Sequence, residues 1–197
     1  MKHTFKSTSH DLEGLFKGVT RFSTFCNRLE NQSRIDPIAY DSDKYKGDGF
    51  EFFVELFLSL HPNDNRIGLY NYEPILVNDN GVDGIGNNII GEKSVAQVKY
   101  RSNTQSVLTA NQDHLANLFS DGMMGHGVVA DMDNKNNFRH FIFTTAKDLH
   151  FYTEQEMFKS KVKTFGYEDF RRFLDGNIQF WNSANKLINS LNIVKIS

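Results

Sequence analysis

The chain has 197 residues, of which 22 are Lys or Arg and 24 are Asp or Glu, and its formal net charge is −2. A chain of this length forms one or two domains, and the near-neutral charge excludes the global positive field of histone-like nucleic-acid binders, so any polyanion must be bound locally. The single cysteine, Cys26, excludes an internal disulfide and a cysteine-rich zinc site.

The N-terminal part of the chain is predicted to contain two helices and a connector. Apolar residues recur at helical spacing over residues 9–29, which predicts one amphipathic helix. Residues 31–47 are polar and contain Pro37, so they are predicted to connect this helix to the main domain. A second helix is predicted over 49–60, and it should end before Pro62 because the residue preceding a proline avoids the helical conformation.

The rest of the chain alternates between strand and helix patterns. Strands are predicted over 67–72, over 75–85 with a turn at 78–81, over 95–100, over 128–130, over 141–145 and over 162–165. Helices are predicted over 109–120, 167–174 and 180–191. A glycine-rich loop is predicted at 121–127, and a capping box at Thr153 and Glu156 predicts the start of a further short helix. The first three strands should form an antiparallel meander, and the whole order predicts an α/β domain with a mixed sheet.

The strongest chemical signal lies on two neighbouring strands and the helix before them. Alternation places Gln97 and Lys99 on one face of their strand, and the preceding strand brings Asp83 beside them. Glu51 and Glu55 lie four residues apart on one edge of the helix. Carboxylate and amide oxygens of this kind suit Mg²⁺, which keeps several waters and completes its shell with a substrate phosphate. A lysine beside the ion would orient the attacking water and offset charge developing on the phosphate, which predicts phosphodiester hydrolysis.

These residues resemble the Mrr-like branch of the PD-(D/E)XK restriction-endonuclease superfamily. The matching motifs are Gly49-Phe50-Glu51, Gly81-Val82-Asp83-Gly84, Gln97-Val98-Lys99-Tyr100-Arg101 and, more weakly, Phe143-Thr144-Thr145-Ala146. The resemblance implies a restriction-endonuclease-like core over 47–174, with a mixed central sheet flanked by helices. An extra N-terminal helix and connector (1–46) and a helical C-terminal tail (175–197) would complete one compact unit.

The resemblance also implies a role for each site residue. Asp83 would be the central metal ligand, Gln97 would replace the usual acidic ligand, and Lys99 would be the catalytic lysine. Glu51 would complete the site as metal ligand and catalytic acid of the helix, with Glu55 as a second candidate if Glu51 faces away. Gln97 gives the ion one fewer negative charge than a carboxylate, a departure typical of the Mrr-like branch. The implied cofactor is Mg²⁺, with Mn²⁺ as a substitute.

DNA contacts are expected from two groups of cations. Lys93, Lys99 and Arg101 are predicted to line one end of the meander. A second row of phosphate contacts is predicted from Lys159, Lys161, Lys163, Arg171 and Arg172. Taken alone, this second group is also typical of a solvated face. No base-reading motif is present in the sequence, which favours a nuclease directed by DNA structure or modification.

Three functions remain open at this point. The first is a Mg²⁺-dependent DNA endonuclease, the second a Holliday-junction-type resolvase, and the third a catalytically inactive nuclease fold that binds DNA or protein. Taken alone, Asp83 is also typical of a turn and Lys99 of a strand edge. A stand-alone nuclease would obtain specificity from a homodimer, from a helicase or other specificity partner, or from DNA structure. No membrane span or signal peptide is evident, so no membrane partner is expected and the location is predicted to be cytoplasmic.

Overall fold

The structure is a computed structural model that describes residues 10–35, 41–75, 81–109, 115–130, 137–150 and 159–194. Its helices are α1 (Leu12–Phe16), α2 (Phe22–Ile35), α3 (Ser42–Leu60), α4 (Leu115–His126), α5 (Tyr167–Leu174) and α6 (Ile178–Val194). Its strands are β1 (Tyr70–Pro74), β2 (Gly84–Asn87), β3 (Lys93–Lys99), β4 (Val107–Thr109), β5 (His140–Thr144), β6 (Asp148–His150) and β7 (Val162–Phe165). Within this part of the chain, no helix combines the length and the apolarity needed to cross a membrane.

Five of the strands form one mixed sheet in the spatial order β1-β2-β3-β5-β7. The pairs β1–β2 and β2–β3 are antiparallel, which confirms the predicted meander. The strands β5 and β7 continue the sheet in parallel, since β5 pairs with β3 and β7 pairs with β5. The strands β4 and β6 form a separate parallel pair. The predicted α/β class with a mixed sheet flanked by helices is therefore confirmed.

Alternation along β3 divides its side chains between two cores. Ala96 and Val98 belong to the first core, which is formed with α3 and with the helices near both ends of the chain. Val95 belongs to the second core, which is formed with α4. The first core is rich in aromatic rings, as in the contact of Phe25 on α2 with Phe53 on α3, whose ring centroids are 4.4 Å apart. Aromatic packing of this kind contributes beyond the area it buries and joins α2 to α3.

The N-terminal helices differ from the prediction in two respects. The single helix expected over 9–29 is two helices, because Gly18 adopts a left-handed conformation (φ +68°) that glycine reaches at little steric cost and that ends α1. Most of the described part of the predicted connector 31–47 is helical, since α2 continues to Ile35 and α3 begins at Ser42. The Asp41 carboxylate accepts the Asp43 N–H at 2.9 Å and caps α3. The helix ends at Leu60, before Pro62, as predicted.

The helix α4 also differs from the prediction, because it runs through the expected glycine-rich loop to His126. Gly122 lies in its buried face, where a Cβ atom would come 3.1 Å from Val95 Cγ2, so the glycine lets the helix approach the sheet closely. The strand predicted over 128–130 is absent from the described structure, since the Val128 N–H bonds the Gly122 carbonyl at 2.8 Å and follows the helix end. Thr109 belongs to β4, and the capping box at 153–156 and Pro37 lie outside the described residues.

Candidate active site

Asp83 lies where β2 separates from β3. The last registered pair of the two strands is Gly84 with Ala96. The Asp83 N–H donates to the Ala96 carbonyl at 2.9 Å, and the Asp83 carboxylate oxygen Oδ2 accepts the Val98 N–H at 2.6 Å. The side chain thus takes the place of a backbone carbonyl in the ladder. This contact holds the carboxylate in the fork between the two strands.

Gln97 and Lys99 lie on the face of β3 that belongs to the second core. If the β2–β3 register is continued by one residue, Gln97 lies opposite Asp83. The Gln97 side chain is fully buried, and among the described residues neither its Oε1 nor its Nε2 has a hydrogen-bond partner. A buried amide without partners costs about 1–3 kcal/mol, so a ligand that binds its oxygen would be favoured there. Lys99 is half-buried at the end of β3, and its carbonyl accepts the Thr144 hydroxyl at 2.7 Å.

The two candidate acids of α3 belong to the helix that packs in the first core. Glu55 is only 4% exposed and Glu51 is half-buried. The pKa of Tyr72 on β1 is raised mainly by burial. The negative charges of Asp83, Glu51 and Glu55 act in the same direction. The Tyr72 hydroxyl donates to the backbone carbonyl of Asp83, at 3.4 Å. No sequence signal marked Tyr72, because tyrosine is an ordinary residue in a strand.

The predicted ligands do not form a ready-made cage of carboxylates. Among the described residues, no three His, Cys, Asp or Glu side chains are close enough together to hold a metal ion. Glu51 and Glu55 belong to the helix packed on one face of β3, whereas Gln97 and Lys99 project from the other, with Asp83 in the fork between β2 and β3. An ion bound at Asp83 would therefore have few protein ligands. Mg²⁺ accepts such a site because it retains waters and takes oxygens from a phosphate.

The first predicted group of cations is not one surface. Lys93 begins β3 and Lys99 ends it, so the two lie roughly 20 Å apart at about 3.3 Å per residue. The expectation that Lys93, Lys99 and Arg101 line one end of the meander is therefore wrong. Arg101 follows Lys99 closely, and its guanidinium donates to the Tyr100 carbonyl at 2.7 Å. Burial lowers the pKa of Arg101, with Asp43 acting in the opposite direction.

The second predicted group of cations is largely engaged with acids. Three of its five members form ion pairs: Lys159 with Asp148 at 3.6 Å, Arg171 with Glu168 and Asp175, each at 3.2 Å, and Arg172 with Asp169 at 3.3 Å. Lys161 and Lys163 flank Val162 at the start of β7, which is the edge of the sheet opposite to β1. Burial lowers the pKa of Lys163. A phosphate contact by the paired cations would have to replace an existing ion pair.

Comparison of the chain with protein-family models, with curated proteins and with solved structures returns no match in any of the three.

Proposed function

We propose that this chain is a Mg²⁺-dependent DNA endonuclease of the Mrr-like type with a restriction-endonuclease-like core. The observation that carries the proposal is the fork of β2 and β3, where Asp83 is fixed opposite a buried, unpartnered Gln97 amide. Lys99 follows two residues later on the same face of β3. The order of α3, the meander, α4 and the parallel strand β5 supports the proposal, because it is the order that the resemblance implies.

Each residue has a definable role in such a site. When bound, Mg²⁺ would supply an acidified water and would neutralise charge on the scissile phosphate. Asp83 would provide the fixed negative charge, and the Gln97 carbonyl an uncharged ligand whose binding relieves the unpaired amide. Glu51 or Glu55 would reach the ion through a water. The Lys99 ammonium forms no hydrogen bond or ion pair with other described residues, so it is available to stabilise charge developing on the phosphate.

The proposal is tested by cleavage of supercoiled plasmid and of a synthetic four-way junction in Mg²⁺, Mn²⁺ or EDTA. Asp83→Asn removes the charge but keeps an oxygen that accepts the Val98 N–H, so it should fold normally and lose cleavage at least about a hundredfold. Lys99→Ala should lose cleavage to a similar extent. Lys186→Ala, at an exposed position of α6 outside both groups of predicted DNA contacts, is the control and should cleave like the wild type.

The outcomes separate the candidate functions. Metal-dependent cleavage that Asp83→Asn and Lys99→Ala abolish supports the endonuclease, and a strong preference for the junction would indicate a resolvase. DNA binding without cleavage in any metal, unchanged in both variants, would contradict the proposal. That result would favour an inactive nuclease fold that binds DNA. The described residues contain no group of three carboxylates that could hold a metal ion, which also favours this alternative.

A further inference from the structure

We propose that the pocket around Lys163, at the end of the sheet remote from Asp83, is a binding site for a phosphate group. The pocket lies where the loop between α3 and β1, the hairpin between β2 and β3 and the starts of β5 and β7 meet. Asn88 lines it and follows β2, whereas Asp83 precedes β2, so the two lie roughly 17 Å apart at about 3.3 Å per residue. Such a site is independent of the proposed function and needs no metal ion.

The Lys163 ammonium group is the charged group of this pocket. Among the described residues that line the pocket, no other is charged. The Lys163 side chain is half-buried, and it forms no hydrogen bond or ion pair with other described residues. Burial lowers the pKa of Lys163, with the charge of Asp64 acting in the opposite direction. A half-buried ammonium group without a partner is costly, so an anion that supplies the partner is favoured there.

Two acids close in the chain to the lining residues already have cationic partners. The Asp64 carboxylate accepts the Arg66 Nε–H, at 2.9 Å from Oδ1 and 3.2 Å from Oδ2. The Glu92 carboxylate accepts the Arg139 Nε–H at 2.9 Å. Because these charges are balanced in pairs, the charge of Lys163 is left over in the pocket. A bound anion would therefore be attracted rather than repelled.

The loop between α3 and β1 makes room for the ammonium group and adds a second donor. Gly68 has a φ of +77°, which favours glycine, and a Cβ atom there would come 3.1 Å from Lys163 Nζ. Asn65 lines the same pocket, and its Oδ1 accepts the Tyr70 hydroxyl at 2.6 Å. Its Nδ2 donates to none of the described residues. The pocket thus offers an ammonium and an amide donor, and charged donors of this kind bind phosphate oxygens strongly.

The remaining walls of the pocket are apolar. Phe141 is 2% exposed, Phe138 is partly buried, and Ile89 is presented by the hairpin between β2 and β3. Buried Asn88 fixes the turn of this hairpin, since its Oδ1 accepts the Glu92 N–H at 2.9 Å. Apolar walls exclude water and so strengthen hydrogen bonds to a charged ligand. The pocket holds about 90 Å³, which suits a small oxyanion.

The experiment follows the backbone N–H signals of Gly68 and Ile89 by nuclear magnetic resonance while inorganic phosphate is added in EDTA at constant ionic strength. We expect saturable shifts of both signals in the wild type. Lys163→Met removes the charge but keeps an unbranched side chain, and it should bind phosphate at least about tenfold more weakly. Lys186→Met, at an exposed position of α6, is the control and should match the wild type.

A second pair of variants keeps the test decisive should Lys163→Met fail to fold. Ile89 is 53% exposed, so Ile89→Glu should fold and place a negative charge at the pocket that repels phosphate. Ile90 is 57% exposed and does not line the pocket. Ile90→Glu is therefore the matched control, and it should weaken phosphate binding less than Ile89→Glu does.

A nucleoside 5′-monophosphate distinguishes two sources of the phosphate group. If it binds more tightly than inorganic phosphate and loses this binding in Lys163→Met, the natural ligand is a nucleotide or the end of a nucleic acid. If inorganic phosphate binds as well or better, the ligand is free phosphate. The proposal is overturned if Gly68 and Ile89 show no saturable shift, or if Lys163→Met and the wild type bind phosphate equally. Neither result bears on cleavage at Asp83, which is measured separately.

Discussion

The Asp83 carboxylate accepts the backbone N–H of Val98 at 2.6 Å, so one side chain both ends the pairing of β2 with β3 and occupies the centre of the candidate site. Here the same group satisfies a buried backbone donor, since Val98 is 6% exposed. Structural and chemical roles therefore coincide at Asp83, and variants must be chosen to separate them.

Asp83→Ala should destabilise the fold, whereas Asp83→Asn should not. Alanine leaves the Val98 N–H unpaired, which costs about 1–3 kcal/mol, while asparagine keeps an accepting oxygen and should stay within about 1 kcal/mol of the wild type. Urea unfolding followed by circular dichroism measures both. Equal stability of the two variants would mean that the contact with Val98 contributes nothing.

Replacement of Gln97 by methionine should stabilise the protein while abolishing its activity. The Gln97 amide is fully buried and, among the described residues, neither of its polar atoms is hydrogen-bonded. Methionine has a similar shape and no unpaired amide, so the free energy of unfolding should rise by about 1 kcal/mol. Urea unfolding and the plasmid assay, run on the same preparation, check both effects.

A comparison with Gln97→Glu sharpens this prediction. Glutamate adds a negative charge beside Asp83, so Mn²⁺ should bind more tightly than in the wild type. A loss of stability in Gln97→Met would show that the amide is paired in the folded protein. In that case no ligand would be needed to satisfy the Gln97 amide.

The stability of the fold should depend on pH through His140. This residue is fully buried, its ring is stacked on Phe119 with 4.5 Å between the centroids, and among the described residues neither ring nitrogen has a partner. Burial, and to a lesser extent the charge of neighbouring Arg139, lowers the pKa of His140 to about 4. In the unfolded chain a histidine titrates near its ordinary value of about 6.5.

Between pH values of about 4 and about 6.5, His140 is protonated in the unfolded chain but neutral in the folded protein. The contribution of His140 is therefore fully present above about pH 6.5 and is lost as the pH falls towards 4, by up to about 1.4 kcal/mol per pH unit. Urea unfolding at pH 7 and pH 5 measures this slope. His140→Phe should flatten it, and His150→Asn, at an exposed position of β6, should not. An unchanged slope in His140→Phe would assign the pH dependence to other groups.

Local sequence signals predicted the elements that frame the site. The proline at 62 limits α3, and the apolar runs that became β3, β5 and β7 were located to within about two residues. These features follow from the restricted backbone of one residue or from a repeat along one strand. Because these features depend only on residues close together in the chain, they can be predicted without knowledge of the partner strand.

Sequence by itself determined the order of α3 and the three strands of the meander. It also determined the face of β3 that carries Gln97 and Lys99, because side-chain alternation is a property of the strand alone. Only the tertiary structure decided that Asp83 lies in a fork, that Gln97 is buried without a partner among the described residues, and that α4 continues across its glycines. Each of these facts depends on contacts between residues distant in the chain. The periodicity of one segment does not predict which residues will pack against it.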